Sequence, residues 1–319
     1  MPPSQLAMTP PGALDLTGEA ARRRRELQRA AMETLQRAAF EELIPPTLEY
    51  QDTFLRAAGP GVAERLIRFP DRDGRILALR YDFTASLARV AATTFGDAAG
   101  PLRLCYAGTV YRQEPERGGR PREMLQVGAE LLGQGDLAAD VEIVRLTIAL
   151  VRAAGLHDFQ VNLGHAGVLA PGMAALPEEQ RADVRRWIDR KDRGSLGRAL
   201  ARATGPAATL TVLPFVIGRR DALARALGLA PRDAAPGLEH LLALDAALTH
   251  EERTHVVYDL GETRGLDYYT GIHFEVYVAG TGRAAGAGGR YDELMGRFGR
   301  PMPAVGVSLD LDTIAEVPR

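Results

Sequence analysis

The run Arg264-Gly265-Leu266-Asp267-Tyr268-Tyr269-Thr270-Gly271 joins two apolar stretches, residues 255–260 and 272–279, and how this junction is read decides the fold. Both flanks alternate or are rich in β-branched and aromatic residues, as half-buried strands are. Two tyrosines, an arginine and an aspartate among glycines supply flat surfaces, hydrogen-bond donors and a fixed charge where backbone comes close. An ordinary polar hairpin would use the same residue types, so the rest of the chain must decide.

Downstream, Gly280-Thr281-Gly282 predicts a turn, 284–291 a glycine-rich strand, and 304–309 a strand that leads into a short helix. Upstream, 102–111 and 123–132 read as paired strands around a charged loop, 112–122, and 136–154 as a helix. Earlier still, the spacing of Leu27, Ala30, Ala31, Leu35, Ala38 and Ala39 predicts a long amphipathic helix over 17–42, with Thr17 at its capped start and Pro45-Pro46 beyond its end. Residues 47–50 resume as an edge strand. The segments 65–70 and 75–80 alternate around Asp71-Arg72-Asp73-Gly74, whose Asp-Gly is a hairpin signal, and 84–93 turns helical. Between 166 and 252 the strand signal mostly disappears. Alanine-, leucine- and arginine-rich segments at 177–203, 221–227 and 237–247 predict an inserted, mostly helical module, with 209–215 as a strand-like exception. Strands in runs with helices apart give an α+β fold built on an antiparallel sheet, and not a βαβ wind. The expected divisions are a disordered lead over 1–13, a core over 14–165, the insertion over 166–252 and a second core part over 253–319.

Composition limits the function classes. With 319 residues and a hydrophobic share of 46%, the chain can bury a sizeable core. Lys+Arg 39 against Asp+Glu 41 leaves a net charge of -2, which gives no global attraction for nucleic acid or an anionic membrane. Lys191 is the only lysine, so single arginines carry little information, and Arg22 to Arg25 read as a solvated helix face. Cys105 is alone, which excludes an internal disulfide or cysteine zinc site and fits a reducing cytoplasm. The six histidines lack paired ligand spacing, so no metal is expected. Residues 1–11 are proline-rich without a charged start and apolar core, unlike a signal peptide, and no apolar run approaches the roughly 20 residues of a spanning helix.

Three further motifs accompany the opening stretch. In 123–132, period two places Gln126, Gly128 and Glu130 on one strand face, with Gly128 opening space between two polar groups. Such a face can bind an ammonium or imidazole, or can simply meet solvent. In Leu79-Arg80-Tyr81-Asp82-Phe83-Thr84 a strand gives way to a helix, and Asp82 and Thr84 suit a helix cap as well as a binding role. In Gly286-Ala287-Gly288-Gly289-Arg290-Tyr291-Asp292 the glycines allow a ligand close to the backbone.

In this order the motifs resemble the core of class II aminoacyl-tRNA synthetases, specifically the histidyl-tRNA synthetase group, over 14–314. Pro46 looks like the motif 1 proline of the dimer interface, 111–130 like motif 2 and 303–314 like motif 3, while 264–269 is similar to the histidine-specific signature. The resemblance implies an antiparallel sheet flanked by helices, self-association through the motif 1 face, and a histidine pocket. Carried over, Asp82, Thr84 and Gln126 would hold the ammonium, Glu130 and Tyr269, with Tyr268 beside them, would address the imidazole, and Arg112 and Arg264 match positions that handle the carboxylate and the α-phosphate in the synthetases. Asp82 departs from the family glutamate, which shortens its reach. Motif 3 of the synthetases ends in a Gly-Leu-Glu-Arg type sequence whose arginine clamps ATP. Here Asp310-Leu311-Asp312-Thr313 stands instead, with no cation and two acids expected to repel a triphosphate. With the sequence ending at Arg319, no anticodon-binding domain is expected after the core.

A core with the histidine pocket but without the ATP clamp resembles the regulatory subunits of ATP phosphoribosyltransferase. That likeness implies a non-catalytic cytoplasmic protein without a cofactor, which takes free histidine as ligand and assembles with a short-form catalytic subunit under histidine feedback. The alternative is a truncated synthetase-like enzyme that still forms histidyl-adenylate.

Overall fold

The structure, a computed structural model, describes residues 9–113, 121–263 and 268–317. Helix α1 (Gly18–Arg37) buries Leu27, Ala31 and Leu35 at four-residue spacing, the stripe that the sequence predicts. Thr17 takes the extended N-cap conformation without a side-chain cap bond. The helix ends five residues before the expected Glu42. Ala39 adopts φ 60, and Glu41–Glu42 pairs in parallel with Leu104 and Cys105 as strand β1. Two of the four arginines expected on a solvated face are also contacts, since Arg23 bonds the Ala154 carbonyl and Arg24 pairs with Asp312.

Strand β2 (Leu48–Tyr50) is followed by α2 (Gln51–Ala58), a helix that the sequence reading missed. Strands β3 (Arg68–Pro70) and β4 (Ile76–Leu79) form the expected hairpin, with Gly74 at φ 83 in its turn, and β2-β4-β3 make a small sheet with β2 at an edge. Helix α3 (Thr84–Thr93) leads to β5 (Leu102–Tyr111) and β6 (Glu123–Leu132), ten-residue strands paired antiparallel. Arg80, a residue 6% exposed, fastens the small sheet to β5: its guanidinium donates to the carbonyls of Pro45, Pro46 and Thr109 over the face of Phe83.

Helix α4 (Leu137–Ala153), capped by Asp136, precedes β7 (Phe159–His165), a strand not expected from the sequence. Then come α5 (Ala166–Ala174), α6 (Glu178–Asp189), α7 (Arg193–Ala199), β8 (Ile217–Gly218), α8 (Arg220–Leu229), α9 (Ala235–Ala247) and α10 (His250–Arg253). The strand expected at 209–215 is two short 3-10 turns, Gly205–Thr211 and Leu213–Phe215, each with a proline near its start, and extended pairing begins only at Ile217. Strands β9 (Val256–Asp259), β10 (Ile272–Val278) and β11 (Gly286–Arg290), helix α11 (Leu294–Arg297), strand β12 (Ala304–Asp310) and helix α12 (Leu311–Ala315) complete the described order.

The large sheet runs β1-β5-β6-β12-β11-β10-β7-β9-β8. It is mixed, not purely antiparallel, because β1 pairs with β5 and β7 with β9 in parallel. Its helix-covered face forms one apolar core that includes Leu27, Leu131, Ile143 and Leu163 together with Leu196, Leu238 and Leu241. Among the described residues, no helix is long and apolar enough to cross a membrane.

Candidate functional site

The other face of the large sheet carries a polar cup centred on Glu130. In register, β6 lies between β5 and β12, so Glu130 sits between Leu104 and Gly306, and Gly128 between Tyr106 and Ser308. A methyl at Gly306 would overlap the Glu130 carboxylate, so the glycine lets that side chain lie flat across β12. Glu130 is 2% exposed. Its Oε1 accepts from the Thr84 hydroxyl at 2.8 Å and its Oε2 from the Tyr291 hydroxyl. Burial outweighs these bonds and pushes the carboxyl up to about 7. The space expected above Gly128 is taken by Tyr106, whose hydroxyl would overlap a Cβ there.

Aromatic rings wall the cup. Tyr268 meets Tyr269 edge-on at 5.2 Å and stacks on Tyr291 at 5.2 Å, while Tyr269 lies parallel to His273 at 5.9 Å. Phe83 stacks on Tyr106 at 4.2 Å. Desolvation, then the nearby Glu130 charge, holds the hydroxyls of Tyr106, Tyr268, Tyr269 and Tyr291 protonated. On the remaining side is Asp82. It does cap α3, accepting from the Ala85 amide at 2.9 Å, and burial raises its carboxyl against that bond and the Arg112 cation. Arg112 lies over the Tyr81 ring at 4.8 Å and donates to the Tyr81 carbonyl.

Asp82, Thr84, Arg112, Glu130, Tyr268 and Tyr269, far apart in sequence, are thus brought together. Gln126 shares the strand and face of Glu130 but lies next to Gly108 and Asp310, beyond Gly128 on that face. Arg264 lies outside the described residues, as does most of the 112–122 loop. The sequence reading missed Tyr106, Tyr291 and His273, although period two along β5 already put Tyr106 on the face of Gly108. It also missed a cluster behind the cup. Arg290 pairs with Asp140 at 2.7 Å, His240 reaches the same carboxylate at 2.8 Å, and the His165 ring lies 5.3 Å from that of His240. Burial, then His240, lowers His165 to about 4. Among the described residues, no group of three or more His, Cys, Asp and Glu could hold a metal.

The acids expected to repel a triphosphate are spent internally. Asp310 caps α12 and accepts from the Thr313 hydroxyl, and Asp312 pairs with Arg24 and accepts from the Leu125 amide. Thr313 is fully buried, and Arg283 donates to its hydroxyl at 2.9 Å. A cavity of about 380 Å³ opens elsewhere, between Tyr50, Arg56, Arg89 and Phe298, and shares no residue with the cup. The cup itself offers a carboxyl that near neutral pH both donates and accepts a hydrogen bond, flat aromatic walls, and a second carboxylate at its side.

The profile of the family described as Histidyl-tRNA synthetase matches residues 12–314. A protein of Syntrophotalea carbinolica named ATP phosphoribosyltransferase regulatory subunit is 36% identical over 315 residues, covering 96% of this chain and 73% of that protein. Its namesake in Anaeromyxobacter sp. strain K is 38% identical over 314 residues, covering 95% and 89%. The solved ATP phosphoribosyltransferase regulatory subunit/histidyl-tRNA synthetase of Bacillus halodurans superposes with a TM-score of 0.89 at 30% identity, covering 98% of this chain and 84% of that one. By its fold, its profile match and these relatives, the chain belongs to the histidyl-tRNA synthetase-like family of ATP phosphoribosyltransferase regulatory subunits.

Proposed function

We propose that the chain is a non-catalytic regulatory subunit of ATP phosphoribosyltransferase, which binds free histidine in the Glu130 cup and conveys its level to a short-form catalytic subunit at the first step of histidine biosynthesis. Glu130 carries this reading. Its proton affinity, raised to about 7, lies close to that of an imidazole, whose ordinary pKa is about 6.5. A buried carboxyl between the Thr84 and Tyr291 hydroxyls, beside flat tyrosine rings, suits a hydrogen bond to an imidazole N–H. Tyr268 and Tyr269 flank the imidazole, Asp82, Thr84 and Gln126 face the ammonium, and Arg112 and Arg264 serve the ligand carboxylate. Each charge-assisted hydrogen bond contributes about 1.5–3 kcal/mol, which suffices for selective binding of a free amino acid.

Thr313 supports catalytic silence, since a buried hydroxyl bound to Arg283 and Asp310 replaces a phosphate-clamping cation. The names of the relatives support the partner enzyme. Ile44, Leu48, Tyr50 and Phe69, exposed apolar side chains near Pro46, support self-association on that side. The buried thiol of Cys105 suits a cytoplasmic setting. We keep 14–165, 166–252 and 253–319 as the divisions of the chain.

The test is co-purification with a short-form phosphoribosyltransferase, followed by its turnover with and without this chain and histidine. The expected result is activation of about tenfold that histidine reverses. Unchanged turnover would remove the regulatory reading, and histidine-dependent ATP–pyrophosphate exchange by the chain alone would favour the synthetase-like enzyme.

A further inference from the structure

The segment from the end of β9 to the start of β10 contains the signature, and the helical region 166–252 grips it at both ends. At the first end, Lys191 Nζ lies 2.7 Å from Asp259 Oδ1 and donates to the Pro214 carbonyl at 3.2 Å. The same Asp259 oxygen accepts from the Gly261 amide at 2.8 Å. The Thr263 hydroxyl donates to Asp189, and His273 Nε2 lies 3.0 Å from the Glu262 carbonyl while its ring backs Tyr269. At the second end, the Ala166 amide donates to the Gly271 carbonyl at 2.9 Å. The Thr270 amide bonds the carbonyl of Arg290, the residue paired with Asp140 and, through it, with His240.

Lys191 occupies an uncommon place. It stands between the C-cap of α6 and the N-cap of α7 with φ 53, where glycine or asparagine is usual. Gly261 passes so close that an added Cβ would lie 2.6 Å from Lys191 Nζ and overlap the Pro214 carbonyl. A strained residue that only turned the chain would not need an ammonium packed between Pro214 and the 259–261 segment.

We propose that Lys191 is the positioning residue through which region 166–252 responds to occupancy of the Glu130 cup. The path runs Lys191, Asp259, Glu262, His273, Tyr269, so the joint between α6 and α7 is tied to one wall of the cup. This rests on the reading of the cup as a histidine site. Linkage makes it testable: if histidine tightens the joint, loosening the joint weakens histidine by the same factor.

The full chain is titrated with L-histidine by calorimetry as wild type, Lys191→Met, Lys191→Arg and Thr263→Val. Emission of Trp187, the only tryptophan, reports on α6, and hydrogen exchange without histidine reports on 256–263. Lys191→Met is expected to weaken histidine about tenfold, to abolish its effect on Trp187 emission, and to speed exchange over 256–263 while β5 and β6 keep wild-type rates. Lys191→Arg restores the Trp187 response, which a loss of packing alone would not allow. Thr263→Val acts in the same direction and carries the comparison if Lys191→Met does not fold. Affinities unchanged in both overturn the proposal and leave the histidine site standing. If wild type itself takes no histidine, the site reading fails and the coupling is overturned with it, an outcome distinct from wild-type binding that neither variant changes.

Discussion

Glu130 keeps its proton to about pH 7 in the folded protein, because burial outweighs the hydroxyls of Tyr291 and Thr84 that favour the anion. Unfolded, the same carboxyl ionises near 4.5, so its contribution to stability is whole below that pH and is lost as pH rises through 7. His165 acts in the opposite sense. Its folded value of about 4 lies below 6.5, so its contribution is present above 6.5 and is lost as pH falls toward 4. Between these limits the two oppose each other. Glu130→Gln removes one of them, and urea unfolding across that range should show the variant gaining about 3 kcal/mol on wild type between pH 4.5 and 7. At this scale the sequence was legible wherever a motif named its own residue. Asp82, Thr84, Glu130 and Tyr269 meet because each stands at the end or on the cup-side face of an element visible in the pattern. Tyr291 and His273 were not legible, because which rows of neighbouring strands face each other depends on register across β10, β11 and β12, and a single strand's period does not contain it.

Elements with strong internal periodicity were readable, and those made by their neighbours were not. Helices α3 and α4 and strands β5 and β6 follow from apolar spacing and turn residues. Strand β1 is two residues long and exists only because β5 offers its edge, and the turns at 205–215 follow their prolines against a strand-like composition. Thr313 shows what the pattern alone can misplace. The missing arginine is a fact of sequence, but the start of α12 turns its third residue inward, onto Arg283 and Asp310. Thr313→Arg therefore should not rebuild an ATP clamp. A second guanidinium would be buried beside the first, and we expect a loss of about 3 kcal/mol in thermal unfolding with no ATP–pyrophosphate exchange gained.

Across the whole molecule, the region 166–252 shares its apolar core with the large sheet, and β8 closes the far edge of that sheet. A composition shift near His165 marks the change from strands to helices, but composition does not reveal that both sides fill one interior. The consequence is cooperative unfolding. Leu241→Ala, in α9 and fully buried, should cost about 2–5 kcal/mol and lower one common transition, measured by tryptophan emission and far-ultraviolet circular dichroism together. Two separated transitions would mean that the helices fold as a unit of their own.

Arg80 adds a mechanical aspect to this unity. Its guanidinium holds the Pro45 and Pro46 carbonyls on one side and the Thr109 carbonyl on the other, and Asp82 follows two residues later. A guanidinium does not discharge at any pH that the fold survives, so this clasp stays shut while Glu130 titrates. The proline corner at the outer edge and the chain that leads into Asp82, at the side of the cup, therefore share one fixed point.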